Sequence, residues 1–91
     1  MVFDIAATFG DNLIRQRKLA DLSQDELSFR ASVHRTEISQ LERGLRVPRI
    51  DTVVKLAVSL EASVEELLVG IDWVPGGRQL GQFASPEREP G

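Results

Sequence analysis

The chain has no cysteine and one histidine, His34, among its 91 residues. Without cysteine there can be no disulfide and no thiol nucleophile, and nothing hints at export. A lone imidazole with no thiolate beside it argues against a zinc site built within one chain, so neither metal nor cofactor is expected. No stretch is long and apolar enough to cross a bilayer, and no charged-then-apolar leader opens the chain. The expectation is a cytoplasmic, nucleoid-associated protein with no membrane association. Serines and carboxylates are present, yet no base stands where it would activate one as a nucleophile. The acidic pairs Asp25/Glu26 and Glu65/Glu66 fall in first helical turns, where the helix dipole accounts for them. An enzyme is not expected.

With 42% hydrophobic residues, a chain of this length makes one small domain with a modest core. The net charge of −3 argues at first against a polyanionic partner. Its distribution argues the other way. Between Arg15 and Arg49 there are eight basic residues (Arg15, Arg17, Lys18, Arg30, Arg35, Arg43, Arg46, Arg49) against five acidic ones, a balance of +3. The remainder carries three basic against nine acidic, a balance of −6. A basic middle with acidic flanks suits a nucleic-acid face, though ordinary scatter of surface charge would look similar.

The segment Ser23–Gly44 carries the most information. Ser23 and Glu26 form an S-x-x-E capping box, with Leu22 and Leu27 placed as its hydrophobic staple. Val33 and Ile38 bracket a second helix start, with His34 at the cap position and Glu37 as its capping partner. Leu27/Ala31 and Ile38/Leu41 have the spacing of buried helical stripes. Gly44 supplies the stop, because glycine takes the left-handed conformation at no steric cost. Two short helices joined by so few residues must cross steeply, which is the helix-turn-helix arrangement.

Around this segment, a first helix is expected from Phe9 or Asp11 to Ala20, with Phe9, Leu13 and Ala20 inward. Residues 1–8 either extend it backwards or lie as an arm. After the irregular link LRVPR, a fourth helix should run from Ile50 to Leu60 with Ile50, Val53, Leu56, Ala57 and Leu60 inward. Ser63 and Glu66 form another capping box, opening a short helix through Leu68 that Gly70 ends. Residues 1–70 thus make one domain and 71–91 a tail. In the tail, IDWV, PGGR and QLGQF have the shape of two extended pieces around a turn. SPEREPG, from Ser85 onward, reads as disordered.

The stretch from about Phe9 to Leu68 resembles the lambda-repressor-like, Cro-type family of helix-turn-helix DNA-binding proteins, most specifically in LSQDEL, HRTEISQLERG and VPRIDTVVKLAVSLEASVEELL. Ser32 stands where relatives usually carry Gly, Ser28 where Ala is usual, and Asp21 replaces a Gly; Asp tolerates left-handed geometry better than most residues. The resemblance implies an all-α fold, a compact bundle of five helices that binds operators as a homodimer. It also implies that Arg17 pairs with Glu42 as a clamp between the first and third helices, and that a glutamine at position 24 grips the DNA backbone.

A helix lying in a major groove reaches bases with its leading residues, while the preceding helix crosses the phosphates. Arg35 can fork onto guanine O6 and N7, and Gln40 onto adenine N6 and N7, with Thr36 against a thymine methyl or a phosphate. The resemblance assigns base reading to the same three; the alternative is a solvated polar helix face. Phosphate contacts are expected from Gln24, His34, Arg43, Arg46 and Arg49. Val54 and Val58 share a face apart from the core set. The apolar tail residues Trp73, Val74, Leu80 and Phe83 are expected to cover it, within one chain or across a dimer. Function therefore reads as a sequence-specific double-stranded DNA-binding regulator, a repressor or a restriction-modification controller. The alternatives are an antitoxin whose tail binds a protein partner and a helical module with no DNA role.

Overall fold

A computed structural model of the protein describes residues 3–85. The disorder expected of 86–91 lies outside the described residues. Helix α1 spans Ile5–Leu19, starting ahead of the expected Phe9 or Asp11 because the Asp4 side chain caps it, accepting from the Ala7 N–H at 3.1 Å. Helix α2, Gln24–Ala31, begins with the box expected of Ser23 and Glu26: each side chain accepts from the other residue's backbone N–H, at 3.0 and 2.8 Å. The bond from the Ser23 backbone holds the Glu26 carboxyl below the usual glutamate range. Ser63 and Glu66 repeat the box at α5, Val64–Leu67.

Helix α3, Arg35–Glu42, starts differently. His34 is its cap residue, but among the described residues it makes no side-chain capping bond, and the expected partnership with Glu37 does not form. An imidazole offers no oxygen to the free N–H groups; the buried pair Val33 and Ile38 fixes the entry instead. The helix ends in a Schellman motif, with Leu45 N–H bonded to the Gln40 carbonyl at 3.0 Å and Gly44 N–H to Leu41 at 3.1 Å. Gly44 has φ +70°, and a Cβ there would lie 3.0 Å from Ala7 Cα. Three other links turn through left-handed residues that are not glycine: Asp21 (φ 58°), Ser32 (φ 53°) and Glu61 (φ 54°).

Helix α4, Ile50–Leu60, has the expected bounds but not the whole expected core face. Ile50 is 83% exposed; in the first turn it lies at the rim, while Val53, Leu56, Ala57 and Leu60 face inward. Strands β1, Asp72–Val74, and β2, Gln82–Ala84, pair antiparallel as the expected hairpin, with Trp73 opposite Phe83 and their rings edge to face at 5.0 Å. The fold is therefore an all-α bundle of five helices with a C-terminal hairpin. Phe9, Leu13, Leu27, Ile38, Leu41, Leu56 and Leu67 are fully buried, so every helix contributes to one core.

Polar contacts set where α1 lies against its neighbours. Asn12, buried, donates through Nδ2 to the Leu67 and Val69 carbonyls at 2.9 and 2.7 Å, tying α1 to the end of α5. Arg17 grips the buried Glu42 bidentately, Nε to Oε2 at 2.6 Å and Nη2 to Oε1 at 3.0 Å, and its Nη1 donates to the Leu22 carbonyl at 2.9 Å. The hydrogen bond to Glu42 raises the Arg17 pKa further, against the desolvation that opposes it. Among the described residues, every buried side-chain nitrogen and oxygen has a partner. Gly10 allows α1 and α3 to cross closely, for a Cβ there would stand 2.5 Å from the Leu41 carbonyl oxygen and 2.8 Å from that of Glu42.

Two stability outcomes follow, both measurable by urea denaturation. Because the obstacles at Gly10 are backbone atoms, Gly10→Ala should cost about 1–3 kcal/mol; unchanged stability would mean the two helices have room to spare. Arg17→Met strands a buried carboxylate and should cost about 3 kcal/mol, whereas Arg17→Met with Glu42→Met should recover most of the loss. A double variant as unstable as the single one would show that packing, not the unpaired charge, is responsible.

Candidate nucleic-acid interface

Ile38 and Leu41 of helix α3 point into the core and Glu42 into the clamp; Thr36 and Gln40 lie on the other side, while Arg35, seven residues before Glu42 and so on its side, is exposed because it begins the helix. Arg35 and Thr36 are exposed on the leading turn, and Gln40 is half-buried one turn on. The trio expected to reach bases is thus left outside the core on one helix, two of them at its leading turn, and the far end of that helix is fastened through Glu42. Arg35 and Gln40 each have a partner. Arg35 Nε lies 2.7 Å from Asp25 Oδ1 on α2, both side chains being largely exposed. Gln40 Oε1 accepts from Arg46 Nη1 at 3.2 Å.

The expected phosphate-binding residues fall into two groups. His34, Arg43, Arg46 and Arg49 are exposed at the start of α3 and along the link that follows it. Arg49 also lies 3.4 Å from Asp51 at the start of α4. Gln24 behaves differently: its Nε2 donates to Glu42 Oε1 at 2.9 Å, so its amide is turned onto the clamp. Only the backbone at the head of α2, with its free N–H groups and positive dipole end, is left there to meet an anion. The clamp thus reaches three helices, a role for Gln24 that was not legible beforehand.

An arginine fork and a carboxamide on a helix are groups suited to base edges, and exposed arginines around them suit phosphates. Among the described residues there is no group of His, Asp or Glu able to hold a metal ion, and no helix is long and apolar enough to cross a membrane.

The apolar tail does not sit where one expectation put it. Val54 and Val58 remain exposed, so the hairpin does not cover them within the chain. Phe83 instead lines an apolar groove of about 350 Å³ with Ile5, Phe9, Ile50, Val64 and Leu68. Ala84 is buried, whereas Trp73, Val74 and Leu80 stay exposed. Three structural contributors escaped sequence reasoning: Gly10, Asn12 and the partnership of Asp25 with Arg35. A glycine inside a helical pattern was the one available signal, for Gly10.

Comparison with known proteins agrees with this geometry. The helix-turn-helix family model matches residues 13–67, α1 through α5. The uncharacterized HTH-type transcriptional regulator y4dJ of Sinorhizobium fredii is 35% identical over 74 residues, 81% of this chain and 96% of that one. The control protein C.BamHI of Bacillus amyloliquefaciens is 36% identical over 70 residues, 75% and 85% of the two chains. The solved structure of the restriction-modification controller protein C.AhdI of Aeromonas hydrophila matches with a TM-score of 0.68 at 31% identity, over 71% of this chain and 98% of that one. With α2 and α3 as its helix-turn-helix, the chain belongs to the helix-turn-helix family of DNA-binding transcriptional regulators.

Proposed function

We propose that the protein is a homodimeric regulator of the restriction-modification controller type that reads double-stranded DNA through the major groove. The observation that carries this reading is that Arg35, Thr36 and Gln40 stay outside the core on a helix that Ile38, Leu41 and the Glu42 clamp fasten to the bundle. Similarity to the control protein C.BamHI and to C.AhdI supports the controller class. Arg35 forks onto guanine, Gln40 onto adenine, and Thr36 meets a thymine methyl or a phosphate. His34, Arg43, Arg46, Arg49 and the head of α2 beside Gln24 hold the phosphates. Bound in the cytoplasm to a near-palindromic operator on the nucleoid, the dimer blocks or recruits polymerase.

One recognition helix reads only a few base pairs, and specificity comes from two copies about 34 Å apart on the duplex. The exposed stripe Ile50, Val54, Val58, at i, i+4, i+8 on α4, supports association along this face. The hairpin residues Trp73, Val74, Leu80 and Phe83 of a second copy are its proposed cover.

Selecting duplexes from a random pool with the wild-type chain gives the probe for two tests. Arg35→Ala should lose about 1–3 kcal/mol on the selected duplex and relax base preference, while Arg43→Ala should weaken all duplexes alike and reduce the salt slope by about one. Equal losses on selected and random DNA for both variants would refute these roles. In sedimentation equilibrium, Val54→Glu with Val58→Glu should run as a monomer and bind the selected duplex more weakly. A dimer that survives both this change and removal of residues 71–91 would exclude the stripe and the hairpin as its seam.

A further inference from the structure

We propose that Asp25 is a positioning residue for base recognition: its carboxylate holds Arg35 by Nε and leaves the Nη1/Nη2 end of the guanidinium free to fork onto guanine. This rests on the reading of Arg35 as a base-contacting residue. A guanidinium can present a carbonyl-and-nitrogen edge with either of two pairs of donors, the Nε side or the far end. With Asp25 Oδ1 2.7 Å from Nε, an anion already stands at the first edge of the guanidinium, and the far end is the one left for a base. The side chain is thereby turned in advance toward one of its two modes.

The pair does little for the fold. Arg35 and Asp25 are 62% and 77% exposed, and ion pairs of that kind contribute about 0–1 kcal/mol. An acid in the first turn of α2 would be accounted for by the helix dipole alone, but the dipole does not set the carboxylate on a particular nitrogen of a particular arginine. That contact depends on the tight link between the helices, where left-handed Ser32 turns the chain so that the head of α3 meets the head of α2. The neighbouring acid cannot substitute, because the Glu26 carboxylate is engaged by the Ser23 N–H.

A second effect has the same origin. The Asp25 charge beside Arg35 offsets part of the pull of the α2 head on phosphates, and it draws Arg35 away from indiscriminate backbone contacts. Orientation raises affinity for the correct base, while repulsion lowers affinity for all sequences. Both increase the ratio between specific and random DNA, the quantity on which a regulator depends.

The test uses the full chain, the duplex selected by the wild type, the same duplex with the guanine read by Arg35 replaced by adenine, and a random duplex. That guanine is the base whose replacement Arg35→Ala no longer registers. Asp25→Ala should lose about tenfold of the discrimination between the first two duplexes and bind the random duplex more tightly, with an unchanged thermal midpoint. Asp25→Asn keeps an acceptor oxygen without the charge, and should recover most of the discrimination while its grip on random DNA stays raised. If Asp25→Ala discriminates as the wild type does while Arg35→Ala does not, the positioning role is overturned and the reading of Arg35 stands. If Arg35→Ala leaves base preference intact, both fall together.

Discussion

The carboxylate of Glu42 is the point at which the bundle becomes a presenting device. It lies late in α3, buried, and accepts two bonds from Arg17 on α1 and one from Gln24 on α2. A buried carboxylate is tolerated only when its charge and lone pairs are met, and here three donors on two other helices meet them. An isolated helix of this length would scarcely hold in water. The clamp at its end, the Schellman closure at Gly44 and the staple at its start together make it rigid enough to carry Arg35 and Gln40 at fixed spacing. Gly10 serves the same end by letting α1 approach the last turn of α3 at backbone distance.

The links between helices are as constrained as the helices. Asp21, Ser32 and Glu61 adopt left-handed geometry that glycine would take more readily, at about 1 kcal/mol each. They have in common a short connection that must reverse within a few residues, each closed by a backbone bond back into the preceding helix, from Leu22, Val33 and Ala62. Strain in these turns is offset by the buried residues that follow, Leu22 and Val33 among them. The angle between α2 and α3, and with it the meeting of Asp25 with Arg35, is set by such a turn.

Away from α3, several large apolar side chains are exposed. Ile50, Val54 and Val58 run along α4, and the hairpin adds Trp73, Val74, Leu80 and Phe83, with Ala84 buried. The hairpin lies beyond the residues matched by the family model. A two-stranded ribbon is marginal by itself, so the burial of Ala84 matters to its persistence. The polar side chains of α3 and the exposed apolar ones of α4 and the hairpin therefore occupy different elements.

What the sequence determined by itself was local. The capping boxes at Ser23 and Ser63, the stop at Gly44, the left-handed tolerance of Asp21, and the stripes Leu27/Ala31 and Ile38/Leu41 all depend on residues within a turn or two of each other. Such signals survive in a string of letters. The Arg17–Glu42 pair was legible only through resemblance, since nothing local joins residues so far apart. The tertiary structure alone decided that Ile50 faces outward, that Gln24 turns to the clamp, and that the hairpin leaves Val54 and Val58 open. It also assigned Asn12 to the carbonyls at the end of α5 and Asp25 to Arg35. These outcomes depend on which helices meet and how closely, and such distances are set by packing the whole core at once.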